Sequence, residues 1–148
     1  MNQSNKRILV PVDFSAGSAK AVEFGLRLAR KLDGELELLH AVAPPPPASP
    51  LDGLNVTGEL DQDQLVEERR RKLESWAQRF ESEGLPIHKH VARGEPAEII
   101  VEVAQEHHVD HIVMGTRSRH GLERFVKGNV AKVVVQRAPC PVTTVRED

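Results

Sequence analysis

The sequence predicts an α/β domain in which five strands alternate with four helices, giving an open parallel sheet covered on both faces. Three observations carry this. Short apolar runs of strand length recur between segments whose apolar residues fall at helical spacing. Strands joined through helices run parallel, because a parallel crossover needs a helix and closes right-handed. The 148 residues, 39% hydrophobic and 28% charged, supply one core and leave no material for a second, so residues 1–148 read as a single domain.

The elements follow in order. "RILVPVD" (7–13) is a short apolar run ending in Pro and Asp. The segment after it places Val22, Leu26 and Ala29 on one helical face, with Ser15 as N-cap and Gly34 as the stop. "ELELLHAV" (35–42) is a second strand. The Pro-rich stretch over 43–60 can neither fill a hydrogen-bond ladder nor hold a helix, and reads as a flexible exposed loop. A helix is expected from Asp61, with Leu65, Leu73, Trp76, Ala77 and Phe80 as its apolar stripe and Glu67/Arg71 and Glu68/Lys72 paired outside. "PIHKHVA" (86–92) is a strand, and Pro96 opens a helix that turns Ala97, Ile100, Val101 and Ala104 inward. "DHIVMG" (110–115) is the fourth strand, Val130, Val133 and Val134 mark the last helix, and "PVTTVR" ends the pattern.

Composition excludes several classes of function. With 20 Lys+Arg against 22 Asp+Glu, the net charge of −2 gives no global pull toward nucleic acid or anionic membrane. The "ERRRK" run, without aromatics or a second basic cluster, reads as a solvated helix face. No apolar run reaches membrane-span length and the first residues lack a signal-peptide pattern, so a cytoplasmic protein is expected. The single cysteine, Cys140, fits a reducing compartment and reads as a structural thiol packed on a strand.

In open α/β sheets ligands sit outside the carboxyl ends of the strands, where the strand order reverses. Two strand ends here carry unusual chemistry: "PVD" after the first and "MGTRSRHG" after the fourth. Asp13 can accept from a ribose hydroxyl or a base amino group, and Gly115 lets a ligand approach the backbone. Gly128 precedes Asn129 and Val130 at a helix start, where exposed N–H groups and the helix dipole bind anions. Arg117, Arg119 and Lys127 either add charge there or stand as ordinary surface residues, and His120 is a phosphate neighbour or exposed.

"RILVPVDFS", "LLHAV" and "HIVMGTRSRHGLERFVKGNVAKVVVQRAPCPVTTV" resemble the universal stress protein family along nearly the whole chain. The ATP-binding branch of that family carries Gly, two residues, Gly, nine residues, Gly, then Ser or Thr. Gly115 and Gly128 match at that spacing, while Ser118 and Asn129 replace the second glycine and the Ser/Thr. The resemblance implies a Rossmann-like sheet of strand order 3-2-1-4-5, a homodimer, and an adenine nucleotide, ATP or AMP with or without Mg²⁺, across the first and fourth strand ends. It implies that Pro11, Val12, Asp13, Ala41, Met114 and Gly115 line the base and ribose, and that Arg117, Ser118, Gly128, Asn129 and Val130 hold the phosphates. For Val12, Ala41 and Met114, ordinary core packing is the competing reading. A serine held at positive φ costs about 1–3 kcal/mol, so the departures weaken binding rather than abolish it.

A regulatory or stress-response nucleotide binder is the favoured function; the alternatives are an interaction module with an empty crevice and a slow ATP hydrolase. No Walker loop occurs, and no residue is placed as a general base. Metal ligation is not expected: in His107/His111 one residue falls on a helix and the other on the next strand, and His88/His90 are two apart. The closing strand is expected at a sheet edge, its open N–H and C=O groups pairing with a second copy through Val142–Arg146.

Overall fold

Element order agrees throughout the described part of the chain, but the helix expected from Asp61 already begins at Glu59, inside the loop expected over 43–60, and residues 45–58 of that loop lie outside the described residues. The structure, a computed structural model, describes residues 6–44, 59–81, 84–116 and 130–146. The elements are β1 (Arg7–Pro11), α1 (Ala16–Leu32), β2 (Glu35–Val42), α2 (Glu59–Ala77), a 3₁₀ turn (Gln78–Phe80), β3 (Ile87–Arg93), α3 (Pro96–Glu106), β4 (His111–Thr116), α4 (Val130–Arg137) and β5 (Val142–Arg146). The sheet order is β3-β2-β1-β4-β5 and every neighbouring pair is parallel. Among the described residues no helix is long and apolar enough to cross a membrane.

Alternation along the strands divides the apolar side chains between two cores. Ile8, Val10, Leu36 and Leu38 pack with Ala21, Val22, Leu26 and Ala29 of α1 and Leu73 and Ala77 of α2. Leu9, Leu39, Ile112 and Met114 pack on the other face with Ile100, Val101 and Ala104 of α3 and Val134 of α4. Burying each large aliphatic side chain stabilises by roughly 1.5–3 kcal/mol, so the two layers fix which helices lie on which face.

Several local expectations are revised. Ser15 does cap α1, accepting from the Ser18 N–H at 3.1 Å. The left-handed residue that ends α1 is Asp33 (φ 59°), however, and not Gly34. Gly34 is needed because a Cβ there would run into the Lys6 carbonyl. The α2 surface pairs also differ: Glu67 pairs with Arg70, Lys72 lies 4.6 Å from the Phe14 ring centroid, and Arg69 reaches in to His40. The "ERRRK" run is therefore only partly a solvated face. Cys140 lies just ahead of β5 and packs against the α3/α4 core; burial, and then Asp110, pushes its thiol pKa up, as an inert structural cysteine requires.

Candidate functional site

The reversal of strand order falls between β1 and β4, which leave from the middle of the sheet in opposite directions around it. Their ladder is short: Ile8 pairs with His111 and Leu9 with Ile112, whereas β1 and β2 pair from Arg7↔Glu35 to Pro11↔Leu39. Pro11 explains the difference. A parallel strand offers its N–H and C=O alternately to its two neighbours; Arg7 faces β4, its carbonyl accepting from Asp110 N–H, and Val12 faces β2, donating to the Leu39 carbonyl. Pro11 therefore faces β4, with no N–H to give. Beyond that point the two strand ends are free to part, and continuing the register sets Val12 level with Gly115.

The turn after β1 is held by its own side chains. Asp13 Oδ1 accepts from Ser15 N–H at 3.0 Å and from the Ser18 hydroxyl at 2.7 Å, and Ser18 Oγ accepts from Asp13 N–H at 2.8 Å. Phe14 carries φ 69°, a conformation uncommon for an aromatic residue, and is clamped between His40 (4.6 Å between ring centroids) and Trp76 (5.8 Å). His40 is buried beside this turn: its Nδ1 donates to the Val12 carbonyl at 2.8 Å and its Nε2 accepts from Arg69 at 3.0 Å. That pattern assigns the neutral Nδ1–H tautomer. Burial first, and Arg69 among the lesser causes, lowers its pKa against the raising effect of the Val12 bond.

Gly115 has a structural reason for lacking a side chain. A Cβ there would stand 2.5 Å from the Gly17 carbonyl oxygen, so β4 and the first turn of α1 approach at backbone distance. Val12 and Met114 are fully buried, in the α1/α2 and α3/α4 cores respectively, so core packing claims their side chains and leaves only backbone for a ligand. Pro11 is buried, Asp13 and Ala41 are half-buried, and Val130 packs against the α3/α4 core at the head of α4. Arg117, Ser118, Gly128 and Asn129 lie outside the described residues, as do Arg119, His120 and Lys127.

Sequence reading missed His40 and Arg69 as supports of the β1 turn, and it missed Glu37. The signal was present: past Glu35, which opens β2, Glu37 and His40 are its polar residues, and both are buried. The histidine pairs also divide differently from their spacing. His88 bonds Glu35 and His111 bonds Thr143, while His90 and His107 converge on Glu37.

Comparison with known proteins agrees with this architecture. The family model described as the universal stress protein family matches residues 4–146. Universal stress protein MJ0531 of Methanocaldococcus jannaschii is 36% identical over 144 residues, covering 96% of this chain and 82% of the relative. A universal stress protein solved in complex with cAMP superposes with TM-score 0.67 at 19% identity, over 99% of this chain and 100% of the other. A family member from Arabidopsis thaliana solved with AMP bound gives TM-score 0.56 at 22% identity, over 97% and 92%. The match runs through every strand and helix of the sheet, and the chain belongs to the universal stress protein family.

Proposed function

We propose that this protein is a regulatory or stress-response protein that binds an adenine nucleotide, ATP or AMP, in the crevice between the ends of β1 and β4. The observation that carries this is the arrest of the β1–β4 ladder at Leu9↔Ile112, which opens the sheet beside Asp13 and Gly115 at the point where strand order reverses. The glycine spacing from Gly115 to Gly128, ahead of α4, supports a phosphate cradle, and relatives of the same fold have been solved with cAMP and AMP. The base and ribose would lie against backbone at Val12, Ala41 and Gly115, and the phosphates against Ser118, Gly128 and Asn129. β5 is an edge strand, and pairing of Val142–Arg146 with a second copy would close that edge in a homodimer.

Isothermal titration of wild type, Gly128→Ala and Ser118→Gly with ATP, AMP and adenosine tests the reading. A methyl group on a phosphate-facing backbone should weaken ATP by more than tenfold, equivalent to about 1.4 kcal/mol, with the melting temperature of the free protein unchanged. Ser118→Gly should tighten ATP more than adenosine. The second reading, an interaction module that takes no nucleotide, is favoured by the engagement of Asp13 Oδ1 within its own turn and by the packing of Gly115 on Gly17. It prevails if wild type does not bind and Ser118→Gly gains nothing. Light scattering of wild type and Thr144→Pro checks the dimer, which the proline should dissociate.

A further inference from the structure

On the α3 face, near the amino ends of the strands and away from the crevice, three side chains from distant parts of the chain meet. Glu37 is the third residue of β2, His90 lies on β3, and His107 caps the carboxyl end of α3. We propose that Glu37, His90 and His107 form a binding site for a divalent late first-row metal ion, with zinc(II) as the ion the ligand set fits best. Two imidazoles and a carboxylate suit zinc, and the three donor atoms lie within 4.8 Å of one another.

The hydrogen-bond accounting supports an ion at this place. His107 Nδ1 stands 3.0 and 3.1 Å from the two oxygens of Glu37, so without metal one proton is shared between three atoms. His90 Nε2 is shielded from solvent and lacks a hydrogen bond among the described residues; it stands 3.8 Å from Glu37 Oε2, beyond bonding distance. The Glu37 side chain is only 6% exposed, and its partners among the described residues are these two imidazoles. A buried carboxylate of this kind is stabilised by a cation, and a buried ring nitrogen is satisfied by a hydrogen-bond partner or, through its lone pair, by a metal ion.

The geometry needs little adjustment. Tetrahedral zinc with ligands at ~2.0–2.1 Å sets donor atoms roughly 3.4 Å apart. The Glu37–His107 separation is slightly shorter than this, the Glu37–His90 separation slightly longer, and the whole set spans at most 4.8 Å, so an ion would draw the two imidazoles together. His90 and His107 are 39% and 30% exposed, so the cluster lies close to the protein surface. Arg7 Nη1 donates to the His107 carbonyl at 3.0 Å and anchors the end of α3 that carries this ligand. Metal at His107 Nδ1 requires that the ring's proton move to Nε2, so His107 binds as the neutral Nε2–H tautomer.

The test uses tag-free, chelator-stripped protein titrated with ZnCl₂ at pH 7.5, with Co²⁺ as a spectroscopic probe of coordination. One ion per chain and a Co²⁺ visible spectrum of tetrahedral or five-coordinate intensity are expected. His90→Asn, at a half-exposed position that leaves the core intact, should weaken binding at least roughly tenfold, and Glu37→Gln should do the same. His88→Asn, two residues along the same strand, should leave affinity unchanged. The proposal is overturned if zinc does not bind, if His90→Asn binds as wild type does, or if His88→Asn is the variant that loses the ion. Circular dichroism of each variant separates loss of ligand from loss of fold.

Discussion

At the carboxyl end of the sheet Asp13, Ser15, Ser18, His40 and Arg69 satisfy one another, whereas near the amino end Glu37, His90 and His107 converge without doing so. Both groups are carboxylates and imidazoles gathered from separate elements. At the carboxyl end the donors of the network meet acceptors within 3.1 Å, and the outcome is a turn after β1 fixed by its own side chains. At the amino end one proton serves three atoms and a shielded nitrogen lacks a bond, an arrangement that an external cation completes. A satisfied network builds a scaffold, while an unsatisfied one makes a demand on solution.

The sharpest way to break this contrast is at the scaffold. Gly115→Ala puts a methyl group against the Gly17 backbone, where neither strand nor helix can give. Urea denaturation should show a loss of about 2–3 kcal/mol, the range for overpacking a close contact. If Gly115 served only ligand approach, stability would be unchanged and nucleotide affinity alone would fall. A smaller effect is expected from Ser18→Ala, which removes both the donor to Asp13 Oδ1 and the acceptor of Asp13 N–H. Stability should drop by about 2 kcal/mol, measured the same way, with Ser18→Thr retaining part of it.

The smallest effect is a pH dependence that probes both ends together. Burial is the leading cause that lowers the pKa of His40, His90 and His111 below the ordinary imidazole value. With a depressed folded-state pKa, the unfolded chain takes up protons first as pH falls. Their contribution is thus complete above pH ~6.5 and is lost as pH drops through the folded-state values. Melting temperature measured from pH 8 to 5 should be flat and then decline, and His40→Gln should make the decline shallower. Saturating Zn²⁺ should steepen it if Glu37, His90 and His107 hold the ion, since protons then compete with metal.

Element order, the faces of α1 and α3, the Ser15 cap and the edge position of β5 were readable from the chain, because each depends on residues a few positions apart or on the rule that parallel strands need helical crossovers. That the "PVD" and "MG" ends belong to neighbouring strands was implied by the family resemblance and its strand order, and the sheet has that order. The roles of individual residues there were not readable. Gly115 answers to Gly17, nearly a hundred positions earlier, Lys72 turns to Phe14, and Arg69 crosses to His40. Glu37, His90 and His107 come from two strands and the end of a helix, and the spacing of histidines along the chain pointed to different pairs. Local periodicity sets which face a residue takes, but partners on that face are set by strand register and helix docking. Those depend on packing of the whole sheet, so the fold was decided by the sequence pattern and the chemistry of both ends by the tertiary structure.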